Sequence, residues 1–300
     1  MKKESNITNI HDLPEEIYKA LCSDNYSGDV TGKKTDYSAT SLVAPVQQTI
    51  LKKRYPNIQA EDVMDRVWAL LGSGVHNIIE GHASEGAVVE KRLYKKVLDK
   101  TLSGQVDHYK DGVITDYKVT TSFKVCKGDY SDWEKQLNIY AWLFKQHKYK
   151  VNSLRIISFI RDHSESNKFK SGYPNFPITV IPITLWEDHV AESFIKDKVA
   201  TLKACEDYTD EQLPPCSDDD MWAQPDVWAV MKEGRKSAIK LFDNFDSAKE
   251  HAGYMSDEAG NALYIQHRKG ERRRCSKYCT VSSVCSQYKK YLEDIGSQDD

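Results

Sequence analysis

Residues 104–118 have the sequence GQVDHYKDGVITDYK, in which two β-rich runs flank the dipeptide Asp111-Gly112. Asp-Gly between two alternating runs is a strong signal for a hairpin with a two-residue turn. Counting outward from this turn places Asp107 opposite Asp116, with Lys118 on the same face of the sheet. A three-residue turn with a bulge would shift this register.

Two opposed carboxylates destabilise a sheet unless nearby positive charge compensates them. Lys118 supplies part of that charge, and a divalent cation would supply more, because Mg²⁺ prefers carboxylate oxygens as ligands. A bound metal polarises a phosphoryl oxygen and lowers the pKa of a coordinated water, while a nearby lysine positions or deprotonates the nucleophile. The hairpin therefore fits phosphodiester hydrolysis. The alternative interpretation is a solvated hairpin with surface charges.

The sequence on both sides of the hairpin predicts a mixed α/β core. Apolar residues at helical spacing predict helices over 14–22, 38–54, 61–82, 131–147 and 186–204. Alternating patterns predict strands over 87–94, 154–160 and 178–183, beside the hairpin strands 104–109 and 113–119. Gly72 and Gly74 interrupt the apolar stripe of the 61–82 helix, which close approach of another backbone or of a ligand would explain.

The composition of the 300-residue chain, with 40% hydrophobic and 29% charged residues, is that of a folded protein with a sizeable core. No apolar run approaches the roughly 20 residues that cross a bilayer, and the N-terminal residues lack the apolar core of a signal peptide. We therefore expect a soluble cytoplasmic protein without a membrane partner. The net charge of −3 gives no global attraction to nucleic acid. Residues 204–231 contain eight acidic and no basic side chains, however, so the rest of the chain is net basic and allows a DNA partner.

Two further motifs flank the hairpin. The helix before it contains Gly72-Ser73-Gly74-Val75-His76, with Glu80 one turn later, and the helix after it contains Gln136 and Tyr140 on one face. Together with Asp107 and the tripeptide Asp116-Tyr117-Lys118, these motifs follow the order of the PD-(D/E)XK nuclease superfamily. The chain resembles the RecB-like exonuclease branch of that superfamily over residues 38–200, although Val106 stands where the superfamily name has proline.

The resemblance implies a fold and a reaction. The fold would be a restriction-endonuclease-like α/β core, with a mixed central sheet flanked by helices and a small C-terminal cysteine-cluster elaboration. The reaction would be Mg²⁺- or Mn²⁺-dependent DNA hydrolysis by an exonuclease of recombination, repair or replication. Its substrate would be linear DNA or single-stranded ends, and its partner a recombination or replication protein. The alternatives are a structure- or sequence-specific endonuclease on the same core, and a non-catalytic nucleic-acid-binding scaffold.

The resemblance also implies roles for individual residues. His76, Asp107 and Asp116 would be metal ligands, together with the carbonyl of Tyr117. Lys118 would orient or activate the attacking water. Gln136 and Tyr140 would contact the DNA strand or support the site. Because the chain lacks a helicase motif, it looks like the phage-encoded or stand-alone members, which act in the cytoplasm of a bacterial or phage-infected cell.

Three of the seven cysteines lie close together near the C-terminus, at Cys275, Cys279 and Cys285. Clustered cysteines in a cytosolic protein are more often metal ligands than disulfides. The arrangement resembles RecB-like nucleases that hold a [4Fe-4S] cluster through three C-terminal cysteines and a distant fourth. Zn²⁺ is the alternative metal, although the spacing lacks the C-x2-C pair of zinc ribbons.

The fourth cysteine ligand is expected to be Cys216. It follows Pro214-Pro215 in a loop after the last core helix, and a loop can deliver a thiolate to a metal. Cys205 and Cys22 remain alternatives, and Cys126 is the least favoured.

These features divide the chain into three parts. Residues 1–36 are expected to form an N-terminal helical extension, and residues 37–205 the nuclease core. Residues 206–300 would contain an acidic linker, a small hairpin and helix, and the cysteine segment. The basic run over 268–274 fits either a solvated surface or a phosphate-binding one.

Overall fold

The structure is a computed structural model that describes residues 7–23, 34–56, 58, 61–259 and 263–296. It divides into a first unit, Met1–Ile50 with Pro56–Asp207, and a second unit, Leu51–Tyr55 with Tyr208–Asp300. The three-part division drawn from the sequence stays a prediction.

The first unit alternates between strands and helices. Its strands are β1 (Ile7–Thr8), β2 (Tyr37–Ser38), β3 (Glu61–Asp62), β4 (Val88–Val97), β5 (Lys100–Lys110), β6 (Val113–Thr120), β7 (Ser153–Ile160) and β8 (Ile178–Ile183). Its helices are α1 (Glu15–Cys22), α2 (Ala39–Val43), α3 (Val46–Arg54, which continues into the second unit), α4 (Val67–Glu80), α5 (Ser122–Lys127), α6 (Ser131–Gln146) and α7 (Asp188–Ala204). Short 3-10 turns cover Val63–Arg66, Glu165–Asn167 and Cys205–Asp207.

A six-stranded mixed sheet forms the centre of the first unit. Its order is β2-β5-β6-β7-β8, and β4 also pairs with β5. The β2–β5 and β6–β7 pairs are parallel, and the other pairs are antiparallel. Helix α6 lies against β5, and α4 lies against β6. This mixed sheet flanked by helices confirms the predicted mixed α/β core and is consistent with a restriction-endonuclease-like arrangement.

Helix α6 supplies much of the core, because every residue of Leu137–Phe144 is buried. Its one amide in that run, Asn138, donates from Nδ2 to the carbonyls of Glu134 and Thr184. The Asn138 Oδ1 accepts the backbone N–H of Trp186, so the buried amide is satisfied and joins α6 to the segment after β8.

The predicted hairpin forms with the predicted turn. Asp111 and Gly112 have φ values of +50° and +83°, the positive values of a type I′ turn. The ladder between β5 and β6 starts at Lys110–Val113 and ends at His108–Thr115, in the register counted from the turn. Nearer its start, β5 pairs with β2 instead. The two hairpin strands therefore separate at Asp107, which leaves a fork in the sheet.

Two helices differ from the prediction. The helix over 38–54 is split, since α2 ends at Val43 and α3 begins at Val46. Pro45 disfavours the helical conformation in the residue before it, and Ala44 is extended, with ψ of 157°. The helix over 61–82 is shorter than predicted, because the chain enters it through β3 and a 3-10 turn.

Helix α4 lies largely at the surface even though it carries the apolar stripe. None of its residues is buried. Trp68, Leu71 and Ile78 are 53%, 45% and 67% exposed. The helical periodicity was correct, but it does not correspond to a buried face.

The second unit contains a three-stranded antiparallel sheet in which β9 (Val227–Lys232) lies between β10 (Lys240–Phe242) and β11 (Leu263–Arg268). Helix α9 (Phe245–Ala259) packs Ala248 and Ala252 against Val230 of this sheet. The other helices are α8 (Asp218–Met221), α10 (Arg273–Lys277) and α11 (Ser286–Gly296). Across both units, no helix built from the described residues is long and apolar enough to cross a membrane.

Candidate metal site and cysteine cluster

Asp107 and Asp116 lie at the fork where β5 and β6 separate. Asp107 Oδ2 accepts a hydrogen bond of 2.8 Å from the backbone N–H of Tyr117. At this point a side-chain carboxylate, and not a backbone carbonyl of the neighbouring strand, accepts the hydrogen bond of β6. Asp107 and Asp116 are only 7% and 2% exposed. The charge of Asp116 raises the pKa of Asp107. The ladder ends at His108–Thr115, however, one pair before the Asp107–Asp116 pair that the count from the turn predicted.

Asp107 and two other residues bring potential metal-ligand atoms together beside the fork. One atom each from His76, Glu90 and Asp107 lie within 4.8 Å of one another. His76 Nδ1 is 3.7 Å from both Glu90 Oε1 and Asp107 Oδ2. An imidazole nitrogen with carboxylate oxygens is a donor set for a divalent cation.

The hydrogen bond of His76 decides which of its nitrogens faces the carboxylates. Nε2 lies 3.0 Å from the carbonyl oxygen of Tyr117, which can only accept a hydrogen bond. A neutral His76 therefore carries its proton on Nε2 and its lone pair on Nδ1, toward Glu90 and Asp107. The Tyr117 carbonyl thus orients the imidazole in this arrangement, and its role as a metal ligand stays a prediction.

The negative charge of the site shifts the pKa values of its members. Burial raises the pKa of Asp107 to about 7, and the charge of Asp116 contributes in the same direction. The Glu90 carboxylate raises the pKa of His76 against the opposing effect of burial. Without a cation, the site therefore takes up a proton near neutral pH.

Lys118 follows Asp116 by two residues on β6 and faces the same side of the strand. Its Nζ lies 2.7 Å from Asp116 Oδ2, in an ion contact that lacks hydrogen-bond geometry. The Lys118 side chain is 25% exposed, so the ammonium lies between a buried carboxylate and solvent. An ammonium group in that position can orient a nucleophile or stabilise developing negative charge.

Glu90 is the member of the ligand group that sequence reasoning missed. The pairs on either side of it, Val89 with His108 and Lys91 with Val106, place it opposite Asp107 across β4 and β5. Its backbone has a φ of +47°, a left-handed conformation that is uncommon for residues other than glycine and recurs at functional sites.

The acid that the sequence places near His76, Glu80, lies outside this ligand group. Glu90 is instead held by a series of polar side chains. Gln105 Nε2 donates to Glu90 Oε2, and Arg92 donates to Gln105 Oε1 at 2.7 Å. The alternation of Glu90 and Arg92 in one strand is the only sequence signal that could have indicated this arrangement.

Gln136 and Tyr140 form the predicted pair on α6. Gln136 Nε2 donates to the Tyr140 hydroxyl at 2.7 Å, and Tyr140 is 5% exposed. Tyr140 packs against β5 at Gly104, where an added Cβ would lie 2.9 Å from Tyr140 Cδ1 and 2.7 Å from Leu143 Cδ1. The pair therefore supports the strand that carries Asp107, and its contact with DNA stays a prediction.

In the second unit, Cys216 lies within electrostatic range of the three C-terminal cysteines. Among the described residues, however, the group whose ligand atoms lie within 4.8 Å of one another is that of His76, Glu90 and Asp107, and it contains no cysteine. Burial, the charge of Asp220 and the three other thiols together raise the pKa of Cys216 to about 12. Burial and two neighbouring thiols, Cys279 and Cys285, raise the pKa of Cys275 to about 11. Four thiols in mutual electrostatic range have the donor chemistry of a metal or iron–sulfur site.

Gln287 fixes the backbone of Cys216 from both directions. Its Oε1 accepts the Cys216 N–H at 2.8 Å, and its Nε2 donates to the Cys216 carbonyl at 2.9 Å. The alternative fourth ligands lie in the first unit, where Cys205 is buried, Cys22 is half-buried and Cys126 is exposed.

Comparison with known proteins finds distant structural likeness. No protein-family model and no curated protein matches the chain. The chain is similar to the protein SSO0001, with 16% identity and a TM-score of 0.44 over 62% of this chain and 84% of that one. It is also similar to a candidate exonuclease from Eubacterium rectale, with 15% identity and a TM-score of 0.30 over 58% of this chain and 71% of that one. At these scores and identities, neither likeness carries an argument about activity.

Proposed function

We propose that the chain is a Mg²⁺- or Mn²⁺-dependent deoxyribonuclease that degrades DNA from its ends. The observation that carries this proposal is the convergence of His76, Glu90 and Asp107 beside the Asp116–Lys118 ion contact. A buried acidic group next to an ammonium suits phosphodiester hydrolysis, because that reaction needs both an activated water and stabilisation of negative charge.

The residues of the site fit a hard divalent cation. Carboxylate oxygens are the preferred ligands of Mg²⁺ and Mn²⁺, and an imidazole nitrogen is a ligand that transition metals such as Mn²⁺ accept. A cation would also hold Asp107 in its charged form, which burial alone disfavours. When bound, the metal supplies polarisation of the scissile phosphate and lowers the pKa of the attacking water.

The roles of the protein side chains follow from their positions. His76, Glu90 and Asp107 would hold the metal, with Asp116 beside them. Lys118 orients the attacking water and stabilises the charge that develops on the phosphate, while Asp116 keeps the ammonium in place. Tyr140 supports β5, and Gln136, which is less buried, contacts the DNA strand.

The proposal assigns this activity to recombination, repair or replication, in the cytoplasm of a bacterial or phage-infected cell. The order of the histidine, hairpin and Gln-x-x-x-Tyr motifs, as in RecB-like nucleases, supports that assignment. A recombination or replication protein would be the natural partner of such an enzyme.

Digestion of end-labelled linear DNA and of closed circular DNA, in Mn²⁺ and in EDTA, tests the proposal. We expect nucleotides to be released from linear DNA only, and only in Mn²⁺. Nicking of the circles would indicate an endonuclease on the same core. The absence of any cleavage would indicate a non-catalytic scaffold.

We further propose that Cys216, Cys275, Cys279 and Cys285 hold a [4Fe-4S] cluster, with Zn²⁺ as the alternative. Metals bind the thiolate form, and the raised pKa values of Cys216 and Cys275 mean that burial disfavours thiolates unless a cation compensates them. The backbone clamp from Gln287 supports Cys216 as the fourth ligand.

Anaerobic purification followed by iron, sulfide and zinc analysis tests the cluster. The wild-type protein should be brown, and Cys216→Ser should lose most of the colour and iron. Cys126→Ser, which removes an exposed thiol from the first unit, should keep both. A colourless wild-type protein with stoichiometric zinc would contradict the cluster.

A further inference from the structure

Helix α4 carries an exposed tryptophan that is stacked with an arginine. Trp68 is 53% exposed, and the guanidinium carbon of Arg161 lies 3.4 Å from the centre of its ring. Arg161 is exposed as well. Surface aromatic rings combined with arginine are characteristic of single-strand binding. The guanidinium covers one face of the Trp68 ring, so a base would stack on the other face while the cation attracts the phosphate backbone.

Both residues of this stack are attached to elements that also form the candidate metal site. Trp68 precedes His76 by eight residues on α4, which is about 12 Å along a helix. The backbone N–H of Arg161 donates to the carbonyl of Thr120 at 3.0 Å, and Thr120 lies two residues beyond Lys118 on β6. The Trp68–Arg161 stack therefore continues the metal site along α4 and β6.

Gly72 leaves space beside α4 between Trp68 and His76, on a half-buried stretch of the helix. It lies one helical turn from each of them, and a Cβ built on it would meet no atom of the described residues within 4 Å. Close packing among the described residues therefore does not explain a glycine that destabilises the helix relative to alanine. The missing side chain leaves room for a ligand strand to approach the helix backbone.

We infer that Trp68 and Arg161 form a stacking platform for an unpaired nucleobase of single-stranded DNA. The distance along α4 corresponds to about three or four nucleotides of a stacked strand, counted from the phosphodiester at the metal site. The inference rests on the proposed function and names the form of its substrate, a DNA end whose terminal bases are unpaired. The positive charge of Arg161 matches a phosphate backbone, and Gly72 leaves room for that backbone between the stack and His76.

Binding of fluorescein-labelled single-stranded oligonucleotides in EDTA tests the platform separately from cleavage. One abasic residue is moved along the oligonucleotide, so that each base is removed in turn. The proteins compared are wild type, Trp68→Ala, Trp68→Phe and Tyr254→Ala. Tyr254 is the matched control, because it is 68% exposed and lies on α9 of the second unit.

Wild type should lose about 5- to 150-fold in affinity when the stacked base is absent. Trp68→Ala should bind intact DNA with a similar loss and should no longer distinguish the abasic oligonucleotides. Trp68→Phe and Tyr254→Ala should stay near wild type and keep that discrimination. The inference is overturned if Trp68→Ala binds intact DNA like wild type, the result expected of a protein-binding surface, or if it still detects the missing base. Base-dependent binding by a wild-type protein that cleaves no DNA would support the platform and refute the proposed nuclease.

Discussion

Tyr117 donates its backbone N–H to Asp107 Oδ2 at 2.8 Å, across the point where β5 and β6 separate. The carbonyl of the same residue lies 3.0 Å from His76 Nε2. One residue of the backbone therefore fixes both a carboxylate and an imidazole of the candidate metal site. Ligands oriented by main-chain hydrogen bonds lose little freedom when a cation binds, so these two contacts would organise the proposed metal site in advance.

Replacement of Lys118 should separate catalysis from metal binding. Lys118→Met should reduce DNA hydrolysis by about 10²- to 10⁴-fold, because in the proposed mechanism the lysine acts on the attacking water. Mn²⁺ affinity, measured by calorimetry, should change little by comparison. Lys110→Met is the matched control, since Lys110 lies on the same hairpin and donates to the Ser84 hydroxyl at 2.9 Å. Equal rates for the two variants would remove Lys118 from the mechanism.

Glu90 should matter for metal binding, whereas Glu80 should not. Glu90→Gln removes a charged oxygen from the ligand group and should weaken Mn²⁺ binding by about tenfold or more. Glu80→Gln changes an exposed acid at the end of α4 and should leave the affinity as it is. Electron paramagnetic resonance, which detects free Mn²⁺, measures the Mn²⁺ affinity of both variants. An unchanged affinity in Glu90→Gln would contradict the ligand group described above.

Asp107 should make Mn²⁺ binding depend on pH. Its pKa is raised to about 7 in the metal-free protein, so below that pH a cation must displace a proton. Asp107 should therefore lower the apparent Mn²⁺ affinity by up to about tenfold for each pH unit below 7, and the proton of His76, whose pKa is also raised, should make the fall steeper. Calorimetric titrations at several pH values check this slope, and a constant affinity below pH 7 would refute it.

The same carboxyl should affect the stability of the metal-free protein. The folded state keeps the proton of Asp107 up to a pH of about 7, whereas an unfolded aspartate loses it near about 4. The native state thus binds more protons in this window, so this group adds stability as the pH falls from about 7 to about 4. Urea unfolding in EDTA should show this gain in stability between pH values of about 7 and about 4 in wild type, and Asp107→Asn should lack it.

Replacement by alanine should change the free energy of unfolding in opposite directions at two glycines of the first unit. Gly104→Ala should lower the free energy of unfolding by about 1–3 kcal/mol, because its Cβ would lie 2.7 Å from Leu143 and 2.9 Å from Tyr140. Gly74→Ala should raise that free energy by about 0.5–1 kcal/mol, since alanine favours the helix and its Cβ would meet no atom of the described residues within 4 Å. Urea unfolding of both variants checks the pair. A Gly104→Ala protein as stable as wild type would contradict the close approach of α6 to β5.

The hairpin could be predicted from sequence because its turn has a recognisable chemistry. Asp111-Gly112 supplies the two positive φ values that the turn needs, so the register could be counted. Glu90 could not be found in the same way. The turn between β4 and β5 is Leu98-Asp99, and Leu98 adopts a φ of +56° without the glycine or asparagine that would have marked it. Without that register, the alternation of Glu90 and Arg92 is the remaining signal, and it does not align Glu90 with Asp107.

Helix α4 illustrates a second limit of prediction from sequence, which concerns burial. Its apolar periodicity is real, but the same pattern arises whether a helix faces a core or an open surface. The exposure of Trp68, and the space that the described residues leave beside Gly72 and Gly74, depend on the packing of neighbouring elements, which the periodicity of a single helix does not reveal. The break at Pro45 was available in the sequence, because proline restricts the residue before it.

The central claim is that the fork between β5 and β6 holds a metal-dependent nuclease centre. The most direct test is the rate at which Asp116→Asn releases nucleotides from end-labelled linear DNA in Mn²⁺, with circular dichroism and the unfolding midpoint as checks that the fold is kept. We predict a loss of about 10³-fold or more, because the substitution removes the charge that lies 2.7 Å from Lys118 and beside Asp107. A folded Asp116→Asn protein that degrades DNA at the wild-type rate would contradict the claim.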